Sequence, residues 1–329
     1  MQVSLACNAM ATRFELVLHG ENPIALRAAG EEALAEIQRL EAQLSLYRPT
    51  SEIAHLNARA AEGPVRVEPS LFRLLEQARR LSRETSGAFD ITIAPLVRCW
   101  GFMGGSGKVP EPAALLEARQ SVGMDLLELD ERNCTVRFAR RGVMLDLGSI
   151  GKGYALECAA EILIEAGVTS ALLHGGTSTV YAIGAPPEAT AWRVAIENPV
   201  KHLFAGKQRP EGPLTEEKPL AIVPLKDEAL SVSARWGKSF SSGETIFGHV
   251  IDPRTGAPAQ AALAAAVVVP SATESDALST ALLTLGEAGH EHISNLRPKM
   301  RTLLVLRSAA AGGFTVQTRG ISAHASPSL

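Results

Sequence analysis

Aromatic residues are scarce, at 5% of 329 positions, which leaves little material for stacking nucleic-acid bases. There is no basic excess. Lys and Arg total 32 against 35 for Asp and Glu, a formal net charge of −3, which argues against a broad cationic face for nucleic acid. Cysteine is rare too. Cys7, Cys99, Cys134 and Cys158 include no CxxC pair, so neither a zinc ribbon nor a redox pair is indicated, and the fold does not depend on disulfides. No apolar run approaches the length of about eighteen residues that a membrane helix needs. No basic segment followed by an apolar one opens the chain. The expected compartment is therefore cytoplasmic, or periplasmic if an export segment has been removed. Two common site motifs, GxGxxG and HExxH, are missing. Gly104–Lys108 falls short of a phosphate loop, because Phe102 stands where the first glycine belongs and Val109 where a Ser or Thr should follow the lysine. His290 and His292 have strand spacing, not the spacing of a zinc helix, and are expected on the surface.

What is present is an ordinary globular composition, 46% hydrophobic and 20% charged. The length suits one large domain or two ordinary ones. Val3–Ala6 and Phe14–Leu18 read as strands. Leu34, Ile37, Leu40 and Leu44 recur at helical spacing within an amphipathic helix over 24–46. Further helices are expected over 71–81, 154–166 and 275–285, the last two stopped by Gly167 and Gly286. Strands are expected at 126–129, 135–138, 143–147, 171–174, 192–196, 221–224, 246–251, 266–269, 302–306 and 314–317. Adjacent strands mixed with helices indicate an α+β fold and not a βαβ repeat. Residues 201–219 are polar and read as a surface insertion. The small polar residues 322–329 read as a disordered tail.

Four segments carry candidate chemistry. Asp146–Tyr154 runs from a strand through glycines into a helix. Such a turn lets backbone amides and Lys152 face anionic oxygens, or is simply a tight turn with a solvated lysine. Asp276 and Thr280 sit four apart on one helix, about 6 Å from each other. Both are hard oxygen donors suited to Mg²⁺, or else a first-turn acid and a back-bonded threonine. His249 precedes the Asp252-Pro253 and Thr255-Gly256 turn signals. It can act as acid or base near neutral pH, or serve a hairpin structurally. In Gly87–Leu96, read as extended, Asp90 and Thr92 alternate onto one face, where they can also satisfy neighbouring backbone groups.

Taken in order, these segments resemble the ApbE family of FAD:protein FMN transferases. The resemblance runs from Met10–Glu15 to Asp276–Thr280 and includes Ser45–Pro49 with Ser51, Glu52 and Asn57. It implies a T-fold-like α+β architecture, with mixed or antiparallel sheets packed against helices. One such domain would span 1–307, followed by a terminal strand and tail over 308–329. It implies FAD as substrate and Mg²⁺ as cofactor. Met10, Tyr47, Ala88, Phe89, Asp90, Asp146, Lys152 and Val250 would contact FAD. Asp276, Thr280 and Ser279 would hold the metal together with an oxygen of Ser149, its carbonyl. Ser231–Ala234, Arg235, Trp236 and 239–244 depart from the family pattern on the acceptor side.

The implied reaction cleaves the FAD pyrophosphate, places FMN on a Ser or Thr hydroxyl of an acceptor flavoprotein and releases AMP. His249, and after it Asp252, is the expected base. Two alternatives remain open. One is an FAD pyrophosphatase giving FMN and AMP, and the other a non-catalytic FAD-binding protein. No nucleic acid and no membrane span is expected.

Overall fold

β1 (Gln2–Ala9) and β2 (Thr12–His19) pair antiparallel along their full length, from Gln2 with His19 to Ala9 with Thr12. Only Met10 and Ala11 form the turn, both at positive φ, as a two-residue hairpin turn that follows strand twist requires. The computed structural model describes residues 1–199, 218–243, 245–308 and 313–323. The insertion expected at 201–219 and the tail expected at 322–329 fall outside these, apart from two residues of each.

β1 and β2 start an eight-stranded sheet. It continues through β6 (Ala171–Gly175), β7 (Thr179–Ile183), β10 (Glu228–Ala234), β13 (Ala264–Val269), β14 (Arg301–Arg307) and β15 (Phe314–Arg319). Every neighbouring pair is antiparallel. β15 is thus the edge of the main sheet and is integrated with it. Three other small sheets are built from β3 (Val65–Arg66), β4 (Leu127–Asp130) and β5 (Thr135–Phe138), from β8 (Trp192–Ile196) with β9 (Ala221–Leu225), and from β11 (Ser239–Ser242) with β12 (Thr245–Gly248).

Helices cover one face of the main sheet. In α1 (Pro23–Leu44), Asn22 caps the first turn by accepting from the Ile24 and Ala25 amides at 3.1 Å, and the stripe from Leu26 to Leu44 is buried. α2 (Glu52–Arg59), α3 (Pro69–Glu84), α4 (Ala94–Cys99) and α5 (Pro112–Arg119) follow. α6 (Gly151–Glu165) and α7 (Ala272–Leu285) pack against each other and, with α1, against the sheet. α8 is Glu287–Ser294. The main core lies between helices and sheet. A second core, under β8 and β9, covers the opposite face.

Several expectations are corrected. Gly87–Ile93 is a series of turns and not an extended run, and the chain enters α4 with Pro95 in its first turn, where the missing proline N–H costs nothing. The Thr85 hydroxyl accepts from Phe89 N at 3.2 Å and helps wind the turns. Residues 143–147 form no ladder. The Asn57 amide pairs with them instead, accepting from Leu145 N at 2.7 Å and donating to Leu145 O at 3.1 Å. β12 stops at Gly248, so His249 follows the strand. His290 and His292 lie on α8, where only His292 is exposed, and His290 Nε2 meets Thr302 Oγ1 at 2.8 Å.

Candidate active site

The close packing of α6 on α7 builds the first wall. A Cβ on Gly153 would lie 2.8 Å from the Asp276 Cβ and nearer still to the Ala272 carbonyl. Only glycine permits that approach. It brings the Gly153 N–H to Asp276 Oδ2 at 3.0 Å. The glycine turn and the acidic helix, 123 residues apart in sequence, therefore meet directly. Asp276 is only 4% exposed. Its Oδ1 has just a long contact, 3.4 Å, from the Thr179 hydroxyl.

α7 is buried almost all round, yet it carries Ser275, Asp276, Ser279 and Thr284 among its buried residues. Buried polar groups need partners, and each has one. Ser275 Oγ donates to Val267 O at 2.8 Å, and Thr284 Oγ1 to Thr280 O at 2.8 Å. The Ser279 and Thr280 hydroxyls bond the Asp276 carbonyl at 3.0 and 3.3 Å. Ser233 Oγ, reaching across from β10, lies 2.9 Å from Ser279 Oγ and 3.1 Å from Thr280 Oγ1.

Asp276, Thr280 and Ser233 border a cavity of about 810 Å³, within the usual range for a small-molecule site. Tyr47, Ala88, Phe89, Asp90, Asp146, Ser149, Lys152, His249, Val250, Asp276 and Thr280 all line it. Three expected site residues do not. Met10 sits in the β1–β2 turn, packed against the main core. Ser279 is fully buried, with its hydroxyl held between Asp276 O and Ser233. The Asp252 carboxylate is held by its neighbour Arg254, through Nε at 2.9 Å and Nη2 at 2.8 Å.

The second wall is charged. Burial pushes the Asp146 carboxyl above its ordinary range, against the opposing pull of the Gly148 amide, Lys152 and His249. Burial likewise raises Asp90, although Thr92 donates to it through both N at 2.7 Å and Oγ1 at 2.6 Å. His249 is shifted down, first by desolvation and then by the nearby Lys152 and Lys238 charges, while the Lys238 carbonyl and Asp146 pull the other way. Its Nδ1 lies 3.1 Å from that carbonyl. A carbonyl only accepts, so this bond places the proton on Nδ1 and leaves the Nε2 lone pair free.

Other lining residues were not singled out from the sequence. His174, Gly176, Thr177 and Ser178, at the β6–β7 turn, border the cavity, as do Ser233 and Lys238. The Gly175-Gly176 pair directly after a buried strand was the available signal, since paired glycines let a backbone approach a ligand closely. Ser233 entered only as part of Ser231–Ala234, the segment expected on the acceptor side, with no role of its own.

Among the described residues, no three His, Cys, Asp or Glu side chains cluster as a metal site. A cation here would need the single Asp276 carboxylate with hydroxyl and carbonyl oxygens. That donor set fits Mg²⁺, which takes one or two carboxylates and completes its shell with water and phosphate oxygens.

The profile of the ApbE family matches residues 10–304. This chain belongs to the ApbE family. The FAD:protein FMN transferase of Haemophilus influenzae is 30% identical over 295 residues, covering 87% of this chain and 81% of that protein. That of Treponema pallidum is 31% identical over 284 residues, covering 82% and 75%. The apo crystal structure of the Pseudomonas stutzeri flavinyl transferase ApbE superposes with a TM-score of 0.80. It is 27% identical, and the match covers 97% of this chain and 94% of that one. The ApbE assignment agrees with the α+β architecture.

Proposed function

We propose that this ApbE-family chain is a FAD:protein FMN transferase, with Mg²⁺ as its cofactor. The observation that carries the proposal is the direct Gly153–Asp276 contact on the wall of a cavity that also holds Asp146, Lys152 and His249. A cleft able to hold a diphosphate between hard oxygens, amides and lysine, with a neutral imidazole beside it, suits phosphoryl transfer.

The Asp276 carboxylate and the Thr280 hydroxyl would hold the Mg²⁺ together with the Ser149 carbonyl. When bound, the ion supplies Lewis-acid polarisation of phosphate oxygens. Lys152, whose Nζ now donates to Gly148 O at 3.2 Å, balances charge on the diphosphate. Tyr47 and Phe89, which both line the cavity, would contact the flavin. The acceptor Ser or Thr oxygen forms a bond to the FMN phosphorus, the P–O–P bridge breaks and AMP leaves. His249 Nε2 takes the hydroxyl proton. His249 is preferred over Asp252, which is already committed to Arg254.

Incubation with FAD, Mg²⁺ and a threonine acceptor tests this. AMP together with acceptor-linked FMN is the expected result. AMP with free FMN alone identifies a pyrophosphatase, and no AMP identifies a binding protein. Either outcome contradicts the proposal.

A further inference from the structure

Arg235 stands where β10, β13 and β14 end together. Its N–H donates to Leu263 O at 3.0 Å, and Leu263 N donates to Val305 O at 2.8 Å. The flanking Ala234 and Trp236 line the cavity, whereas Arg235 does not. The Arg235 side chain is half-buried. Nη2 donates to two neutral acceptors, Ile246 O at 3.2 Å and Gln260 Oε1. Nε is buried and has no acceptor, alone in this among the side-chain atoms of the described residues. The exposed Arg307, at the end of β14, is close enough to press the Arg235 guanidinium below its ordinary proton affinity, adding to the effect of burial. Among the described residues, no ion pair includes Arg235 or Arg307, although Arg254, Arg297 and Arg301 each hold a carboxylate.

A half-buried cation beside a like charge, with only neutral partners among the described residues, is costly unless an anion completes it. We propose that Arg235 and Arg307 form a docking point at the cavity rim for a carboxylate of the acceptor protein. The inference rests on the transferase assignment. The anion must arrive from the outer surface, because Ile246, Gln260 and Arg307 are all exposed and Arg235 is absent from the cavity wall. A carboxylate is the natural match for a guanidinium fork. A charge pair at a rim sets which partner docks, and in what register, more than it sets raw affinity.

Two labelled threonine peptides serve as probes. They are identical except that aspartates flanking the threonine in one are asparagines in the other. Fluorescence anisotropy on the full chain is expected to show the acidic peptide binding about tenfold more tightly, with the gap closing as salt rises. Arg307→Gln should remove most of that preference and leave FAD affinity unchanged. Arg235 also supports the chain at Ile246, so the exposed Arg307 carries the test independently of folding. Equal binding of the two peptides, or a preference that survives Arg307→Gln, overturns the docking point. A fall in FAD affinity in that variant also overturns it, by assigning the arginines to FAD phosphates. Binding is read without turnover. A wild-type chain that grips the acidic peptide but moves no FMN onto it therefore contradicts the transferase assignment and leaves the docking point standing.

Discussion

The two walls of the cavity are made in different ways. The Asp276 wall belongs to the main core, where α6 and α7 are locked through Gly153 and the hydroxyls of Ser275, Ser279, Thr280 and Thr284 are all hydrogen-bonded. The His249 wall hangs on a small satellite cluster. There Trp100, Phe102, Phe240 and Phe247 pack with ring centroids 5.3 to 6.4 Å apart, beneath the exposed β11–β12 hairpin. Trp100 Nε1 ties this cluster to Gly256 O at 2.7 Å, and Lys238 Nζ ties it to Phe102 O. In the proposed transfer, Asp276 and Thr280 would hold phosphate oxygens from a buried helix, and the groups facing an incoming protein would sit on loops supported by few contacts, where local opening is cheaper.

The contrast yields graded expectations. Asp276→Asn keeps the shape of the rigid wall and removes its charge. AMP release from FAD should fall by about 10³-fold or more, with the thermal melting temperature little changed. Gly153→Ala attacks the same wall through packing. The added methyl meets backbone, which cannot yield as a side chain tip would, so about 2–3 kcal/mol of stability should be lost, as read by urea denaturation.

On the second wall, His249→Gln should lower kcat by about 10²-fold and spare FAD binding measured by flavin fluorescence. The pH profile separates a base from a merely structural histidine. Desolvation and two lysines lower the His249 pKa, so its neutral form persists to more acidic pH than an ordinary histidine. Wild-type turnover should therefore extend to more acidic pH before it falls than an ordinary histidine base would allow, and His249→Gln should lose that acidic limb. Trp100→Phe removes one hydrogen bond of the satellite cluster. It should cost about 1 kcal/mol, appearing as a raised KM for the acceptor with little effect on FAD affinity.

α1 and α3 were legible from periodicity because each buries one stripe, whereas the short helices α2, α4, α5 and α8, of six to eight residues, were not read. α7 was legible in position, but its polar residues mattered more than its pattern, since it is buried on nearly every side. β7 and β10 were not read as strands. β10, Glu228–Ala234, is rich in Ser and Ala, weak strand formers whose place is set by neighbours on both sides. The segments at 87–93 and 143–147 escaped for a related reason. Asp90, Thr85 and Asn57 satisfy the backbone with side chains, and such pairings leave no period to detect. The spacing of Asp276 and Thr280 foretold a polar helix face, but nothing local revealed that Gly153 would meet it. The capture of Asp252 by Arg254 could be guessed from their adjacency but competed with a catalytic role for the same carboxylate.

In the proposed transferase, Asp276 and the glycine turn would hold a divalent ion against a dinucleotide diphosphate. Paramagnetic broadening of the FAD ³¹P resonances by Mn²⁺, measured on the protein-bound dinucleotide, tests it most directly. Both phosphorus signals should broaden in the wild-type chain and stay sharp in Asp276→Asn at equal FAD occupancy. Equal broadening in the two proteins would contradict the account.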